Sequence, residues 1–170
     1  MAIKLLKLRY SFLLITLFFS CETSYEIDPK VMELFMDDIP ANHLTIYLNP
    51  DEKGYLFGTP PKETLEEYGI SLIHGKKSFD KNWLKSFFEG KGYKVVFKSI
   101  NLRDRSQHTM LSETKHMYID FSQIYCNDKT SKCLLLGRFV CGRLCAMGYD
   151  FILERKGNKM ILVDWSAEIS

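Results

Sequence analysis

The chain has 170 residues, 46% of them apolar and 26% charged, which excludes wholesale disorder and suits one globular domain. Its formal charge of +2 rests on three basic residues near the start; without residues 1–20, 20 basic side chains face 21 acidic ones. That near-neutral balance lacks the cationic footprint of phosphate neutralisation and excludes nucleic acid as a partner.

Lys4, Lys7 and Arg9 precede an apolar run from Tyr10 to Phe19. A charged start followed by a short apolar stretch is the layout of a secretory signal, here residues 1–20. The run is about half of the ~20 residues that a bilayer span requires, so it reads as an export signal. Phe18-Phe19-Ser20-Cys21 closes it and resembles the lipobox of bacterial lipoproteins, with Phe18 and Phe19 where the pattern usually has leucine and a smaller residue. The resemblance implies that Cys21 is acylated, palmitate included, and becomes the new N-terminus. Five cysteines are an odd number for an exported protein, and lipidation of Cys21 accounts for the odd one. The rival is an ordinary signal peptide that leaves Cys21 as a free thiol. Two or more acyl chains, at roughly 0.8 kcal/mol per buried methylene, hold a protein firmly to a membrane. Residues 21–28, with Glu22, Glu26 and Asp28, read as a lipidated tether, and residues 29–170 as a single domain.

Pro29 suits a first helical turn, and Val31, Met32, Leu34, Phe35 and Met36 give a helix that ends before Pro40. Residues 43–48 alternate and are β-rich, predicting a strand closed by Asn49-Pro50-Asp51. A short helix follows over residues 62–68, stopped by Gly69. Ser78 or Asp80 can cap a helix over 81–89, where Phe79, Trp83, Phe87 and Phe88 form an aromatic stripe that packs on a sheet. Residues 93–100 predict a strand, and the polar stretch 101–115 a surface loop.

From residue 118 onward the chain reads as four successive strands. The odd positions are apolar or small: Cys133, Leu135, Gly137, Phe139 and Cys141, then Cys145, Met147, Tyr149, Phe151 and Leu153, then Ile161, Val163, Trp165, Ala167 and Ile169. Directly paired residues share a face, so odd must pair with odd, which requires three-residue loops at 142–144 and 156–158. This places Cys141 opposite Cys145, Phe139 opposite Met147, Leu153 opposite Ile161 and Tyr149 opposite Trp165, with the odd face as the core. A change of parity between Phe121 and Ile124 predicts a bulge near Ser122-Gln123.

Cys126 and Cys133 flank one polar turn, and Cys141 and Cys145 flank another, so each pair is placed to bridge its own hairpin. Four cysteines still permit three pairings. The alternative, a zinc site, requires all four to meet. Cys133 and Cys141, eight residues apart on one strand, are separated by about 26 Å at the usual rise, so no metal is expected.

Cys141-Gly142-x-Leu144-Cys145-x-x-Gly148, Gly157-Asn158-Lys159 and Ile169-Ser170 together resemble the C-terminal module of an uncharacterised Gram-negative (Bacteroidetes-type) envelope lipoprotein family. That module carries a Cys-Gly-x-Leu-Cys loop, an Asn-Gly-Lys-Trp-like turn and a Trp-Ile-Ser-like ending. This chain reverses Gly157-Asn158 and has Met160 and Glu168 where the family tends to differ. The resemblance implies fold and location, namely the cell envelope and the outer membrane, and no activity.

His43, His74, His108 and His116 are scattered, and neither a nucleophile elbow nor a phosphate loop occurs. Asp120 points to the core side if the bulge near Ser122-Gln123 lies elsewhere, which makes it the one carboxylate to check. The expected fold class is therefore α+β, with short N-terminal helices on a C-terminal antiparallel β-meander, NTF2-like or cone-like by analogy. The expected function is that of an exported, lipid-anchored envelope protein, a non-enzymatic binding or accessory module with an envelope protein as partner and no cofactor. The alternative is a small envelope hydrolase or thiol-redox enzyme.

Overall fold

A computed structural model describes residues 25–40, 45–50, 60, 62–70, 80–127, 129–142 and 145–169. Residues 1–20, the stretch read as an export signal, and Cys21 lie outside the described residues. The elements in chain order are β1 (Glu26–Ile27), α1 (Pro29–Asp37), β2 (Thr45–Leu48), α2 (Lys62–Glu67), α3 (Lys81–Gly90), β3 (Lys94–Phe97), α4 (Arg105–Thr114), β4 (His116–Phe121), β5 (Tyr125–Cys126), β6 (Lys132–Gly142), β7 (Cys145–Lys156) and β8 (Lys159–Ile169).

Strands hold 45% of the described residues and helices 29%, so the α+β expectation is replaced by a mostly-β fold with few short helices. The sheet is mixed, with strand order β1-β8-β7-β6-β4-β2-β3 and β5 beside β6, and it curls as a half-barrel. β2 is parallel to both β3 and β4, and β1 is parallel to β8. The expected meander is present as β6, β7 and β8 but does not stand alone. The early apolar alternation at residues 45–48 signals a strand without saying which way its neighbours run. For that reason the sequence reading missed the parallel part and the cone-like analogy fails.

Both faces of β6 are buried, as suits a central strand. One face gathers Cys133, Leu135, Phe139, Tyr149 and Phe151 under α1 and α3. Phe35 of α1 is its hub, with ring centroids 4.9 Å from Phe121, 5.0 Å from Tyr149 and 5.7 Å from Phe139. Gly137 leaves room for these rings, since a Cβ there would lie 2.8 Å from Phe121. The other face carries Leu134, Leu136 and Ile152 under α2, and Tyr118 and Val140 under α4. The odd-parity core is thus one of two.

Local chemistry sets the helix ends. Asp28 caps α1 through the N–H of Lys30, and its other carboxylate oxygen accepts from the N–H of Leu162 on β8 at 3.3 Å. At the far end of α1, Asp38 accepts from the Tyr149 hydroxyl at 2.6 Å. β1 lies within the stretch read as a tether, so that stretch is already part of the sheet at Glu26. Asp80 caps α3 by accepting from the N–H groups of Asn82 and Trp83. Leu84 and Phe88 are the buried residues of α3, while Trp83 and Phe87 are partly buried beside them. The stretch expected to be a loop holds α4, capped by Asp104 and ended by Lys115 at φ 53°. Its apolar content is too low for an amphipathic signal, although Leu111 is fully buried.

Both hairpins differ from their expected loops. The β7–β8 turn has two residues, with Lys156 paired to Lys159 and Gly157 at φ +66°. Glycine first and asparagine without positive φ second is the type II′ pattern, which explains the Gly-Asn order. A bulge between Ile152 and Leu153 and their partners absorbs Val163 and restores odd-with-odd pairing, so Phe151 faces Trp165 and Tyr149 faces Ala167. In the β6–β7 hairpin Phe139 faces Met147 as expected, but Gly142 pairs with Cys145 and Cys141 lies in the irregularity.

Candidate functional site

The four described cysteines form two disulfides. Cys126–Cys133 bridges directly paired residues of β5 and β6 with Cα atoms 4.0 Å apart, and Cys141–Cys145 closes the next hairpin at 5.2 Å. Among the described residues no three His, Cys, Asp or Glu side chains gather in a way that could hold a metal ion. His43 and His74, and the side chain of His108, lie outside the description; His116 shares a 2.8 Å hydrogen bond between its Nδ1 and the Tyr47 hydroxyl. Asp120 does point inward: it is fully buried, opposite Arg138 in the ladder, and accepts from Asn49 Nδ2 at 2.9 Å. Asn49 in turn accepts from Lys81 Nζ at 2.8 Å through its backbone carbonyl. This group joins β2, β4 and α3 as a buried polar tie, which sequence could suggest only through the parity of Asp120.

Among the described residues, the two margins of the sheet lack a further strand. β1 pairs with only the first two residues of β8, and Asp28 occupies the Leu162 N–H. From residue 163 to residue 169 no other described strand lies on the outer side of β8. Val163, Trp165 and Ile169 are 61%, 43% and 87% exposed, which overturns the expectation that the odd face of this strand is core. The reason is coverage: α1 and α3 pack over β6 and β7, and the far half of β8 extends past them. Trp165 keeps one ring contact with the core, its centroid 6.4 Å from that of Tyr149.

The two sides of this margin differ in chemistry. Trp165, Ala167 and Ile169 share the face of Tyr149 and Phe151, whereas Asp164, Ser166 and Glu168 share the face of Asp150 and Ile152. Asp150 accepts from the Tyr68 hydroxyl at 3.2 Å. Desolvation is the main cause raising its carboxyl above the ordinary range; Glu168 and Glu67 add to the rise, and the Tyr68 bond opposes it. A groove of about 540 Å³ opens on this acidic side, lined by Glu66, Glu67, Tyr68, Glu154 and Asp164 among others.

At the opposite margin β3 has no outer neighbour among the described strands. Its register with β2 puts Val95 and Phe97 on the face of Ile46 and Leu48, and Lys94 and Val96 on the face of Thr45 and Tyr47. Lys98 follows on that second side, its Nζ 4.5 Å from the Tyr47 ring centre. Lys85 of α3 stands over Phe97 at 5.7 Å. One margin is apolar and acidic, and the other is apolar and basic. Sequence reasoning missed both, because alternating charge is visible at 94–98 and 164–168 but the edge position of those strands is not.

Searches against protein-family models, curated proteins and solved structures returned no match for this chain.

Proposed function

We propose that this chain is an exported, lipid-anchored protein of the cell envelope, of the Gram-negative lipoprotein kind that its C-terminal module resembles, acting as a non-enzymatic binding module through the free margins of its sheet. The observation that carries the binding reading is the outer side of β8 at residues 163–169, which has no strand partner among the described residues and carries exposed apolar side chains. Soluble proteins ordinarily cover or blunt such an edge, and recognition domains use it to add a strand. The described cysteines are all spent in disulfides, which suits an oxidising compartment and leaves none of them as a redox thiol.

The anchor reading rests on the basic start, the short apolar run and Cys21 at its end. Tyr25 lies four residues after Cys21, a reach of at most about 14 Å, so acylation would hold the β1–β8 side of the domain close to an outer-membrane surface. Replacing Cys21 with serine and fractionating the envelope tests it. Release of the protein into the soluble fraction, with loss of incorporated radiolabelled palmitate, is the expected result. A Cys21→Ser protein that stays on the membrane would contradict the anchor.

A further inference from the structure

We propose that the strand which covers the β8 margin is β3 of a second copy of this chain, so that copies join head to tail into one continuous sheet. This names the partner of the β8 edge and rests on the reading of that edge as a binding surface.

Strand direction permits it. β3 runs parallel to β2 and β4, β4 is antiparallel to β6, and β6, β7 and β8 alternate, so β3 and β8 point in opposite directions. A second copy that extends the sheet with the same face upward therefore sets its β3 antiparallel to β8. Side-chain faces agree, since the apolar side of each margin belongs to the face packed under α1 and α3.

The register is singled out by charge. Placing Trp165 opposite the second copy's Phe97 puts Asp164 opposite Lys98, Ser166 opposite Val96, Ala167 opposite Val95 and Glu168 opposite Lys94. Both acidic residues then meet lysines, and two exposed aromatic rings meet each other. A slip of two residues in either direction keeps the faces but loses both charge pairs. Pairing like with like fails by the same test. Two β8 margins centred on Ser166 set Asp164 against Glu168 twice, and two β3 margins centred on Val96 set Lys94 against Lys98 twice.

Backbone phase agrees independently. The N–H of Lys98 donates to Leu48 O at 3.0 Å, so Lys98 and, by the two-residue period, Val96 face β2, while Val95 and Phe97 turn their polar groups outward. On β8 the N–H of Trp165 is held at 2.9 Å by the carboxylate of its own neighbour Asp164, so Trp165 and Ala167 face outward. The chosen register sets Trp165 against Phe97 and Ala167 against Val95, outward group against outward group. Asp164 thereby exchanges a local bond for a lysine, and the Trp165 amide gains a carbonyl. Each contact leaves a β3 margin at one end and a β8 margin at the other, so association continues until the assembly closes.

The test is sedimentation of the full-length protein in mild nonionic detergent over a concentration series. Wild type is expected to associate reversibly, and less so at high salt. The pair Lys94→Glu with Lys98→Glu, and the pair Asp164→Lys with Glu168→Lys, should each be monomeric. An equimolar mixture of the two variants should associate again, because each supplies the margin that the other reads. Ala167→Pro removes an outward N–H without altering charge and should also be monomeric. Wild type that stays monomeric at hundreds of micromolar, or association that survives both charge variants, overturns the proposal. Membrane release of Cys21→Ser is read separately, so a monomeric but anchored protein removes the self-pairing alone.

Discussion

Asp150 shows how one carboxylate reports on its surroundings. It sits in the β7–β8 ladder beside Ser166, accepts from Tyr68, and is held above the ordinary carboxylate range chiefly by desolvation. A raised value means that the folded state binds the proton more tightly than the unfolded chain does. Below the unfolded value of roughly 3.9 both states are protonated and the group is neutral to stability. As pH rises through the folded value the penalty grows, and above that it is constant. Asp150→Asn keeps an acceptor for Tyr68 and removes the charge, so it should raise the melting temperature at pH 7, with the gain fading as pH falls through the carboxylate range. Thermal melts from pH 3 to pH 7 check this, and a gain that is flat with pH or larger in acid would contradict it. Asp150 is an even-numbered, polar position, as parity requires. The groove around it depends on α2 crossing the sheet, which no local pattern announces.

Among the elements, the β5–β6 and β7–β8 hairpins show what parity can and cannot deliver. It identified the face on which Phe139, Tyr149 and Phe151 lie, because a buried strand face leaves a period of two in the sequence. It does not reveal the second buried face of β6, where Leu134, Leu136 and Val140 lie, because an apolar residue at every position leaves no period of two. It also misjudged the Gly157 turn, where a two-residue loop plus a bulge at Val163 gives the same parity further along as one three-residue loop. Helix α4 escaped notice because among its described side chains only Leu111 is fully buried. The cysteine positions made bridging within each hairpin plausible while leaving three pairings open, and the structure joins the two cysteines that flank each turn. The Cys126–Cys133 bridge closes a short loop of the unfolded chain, so replacing both with alanine should cost about 2–3 kcal/mol in urea unfolding under oxidising conditions. No loss would show that the hairpin is pinned by packing alone.

At the scale of the whole molecule, the sheet is a mixed half-barrel with one apolar–basic margin and one apolar–acidic margin. Strand order is the part that sequence did not disclose: the placement of β3 and β8 at opposite ends follows from long-range parallel pairing of β2 with β3 and β4. Once that order is known, Lys94, Lys98, Asp164 and Glu168 stop being scattered surface charges and become the two sides of one complementary pattern. The proposed membrane anchor at Cys21 and the proposed strand pairing at the sheet margins involve separate parts of the chain.

Strand pairing at this margin requires that the outer side of β8 be open, with the polar backbone groups of Trp165 and Ala167 turned outward. Residue-resolved amide hydrogen exchange of dilute, monomeric protein measures this. The N–H groups of Ser166 and Glu168, directed to β7, should be strongly protected, while those of Ala167 and Ile169 should exchange close to the rate of free chain. Uniform protection along residues 163–169, or the opposite alternation, would contradict the account.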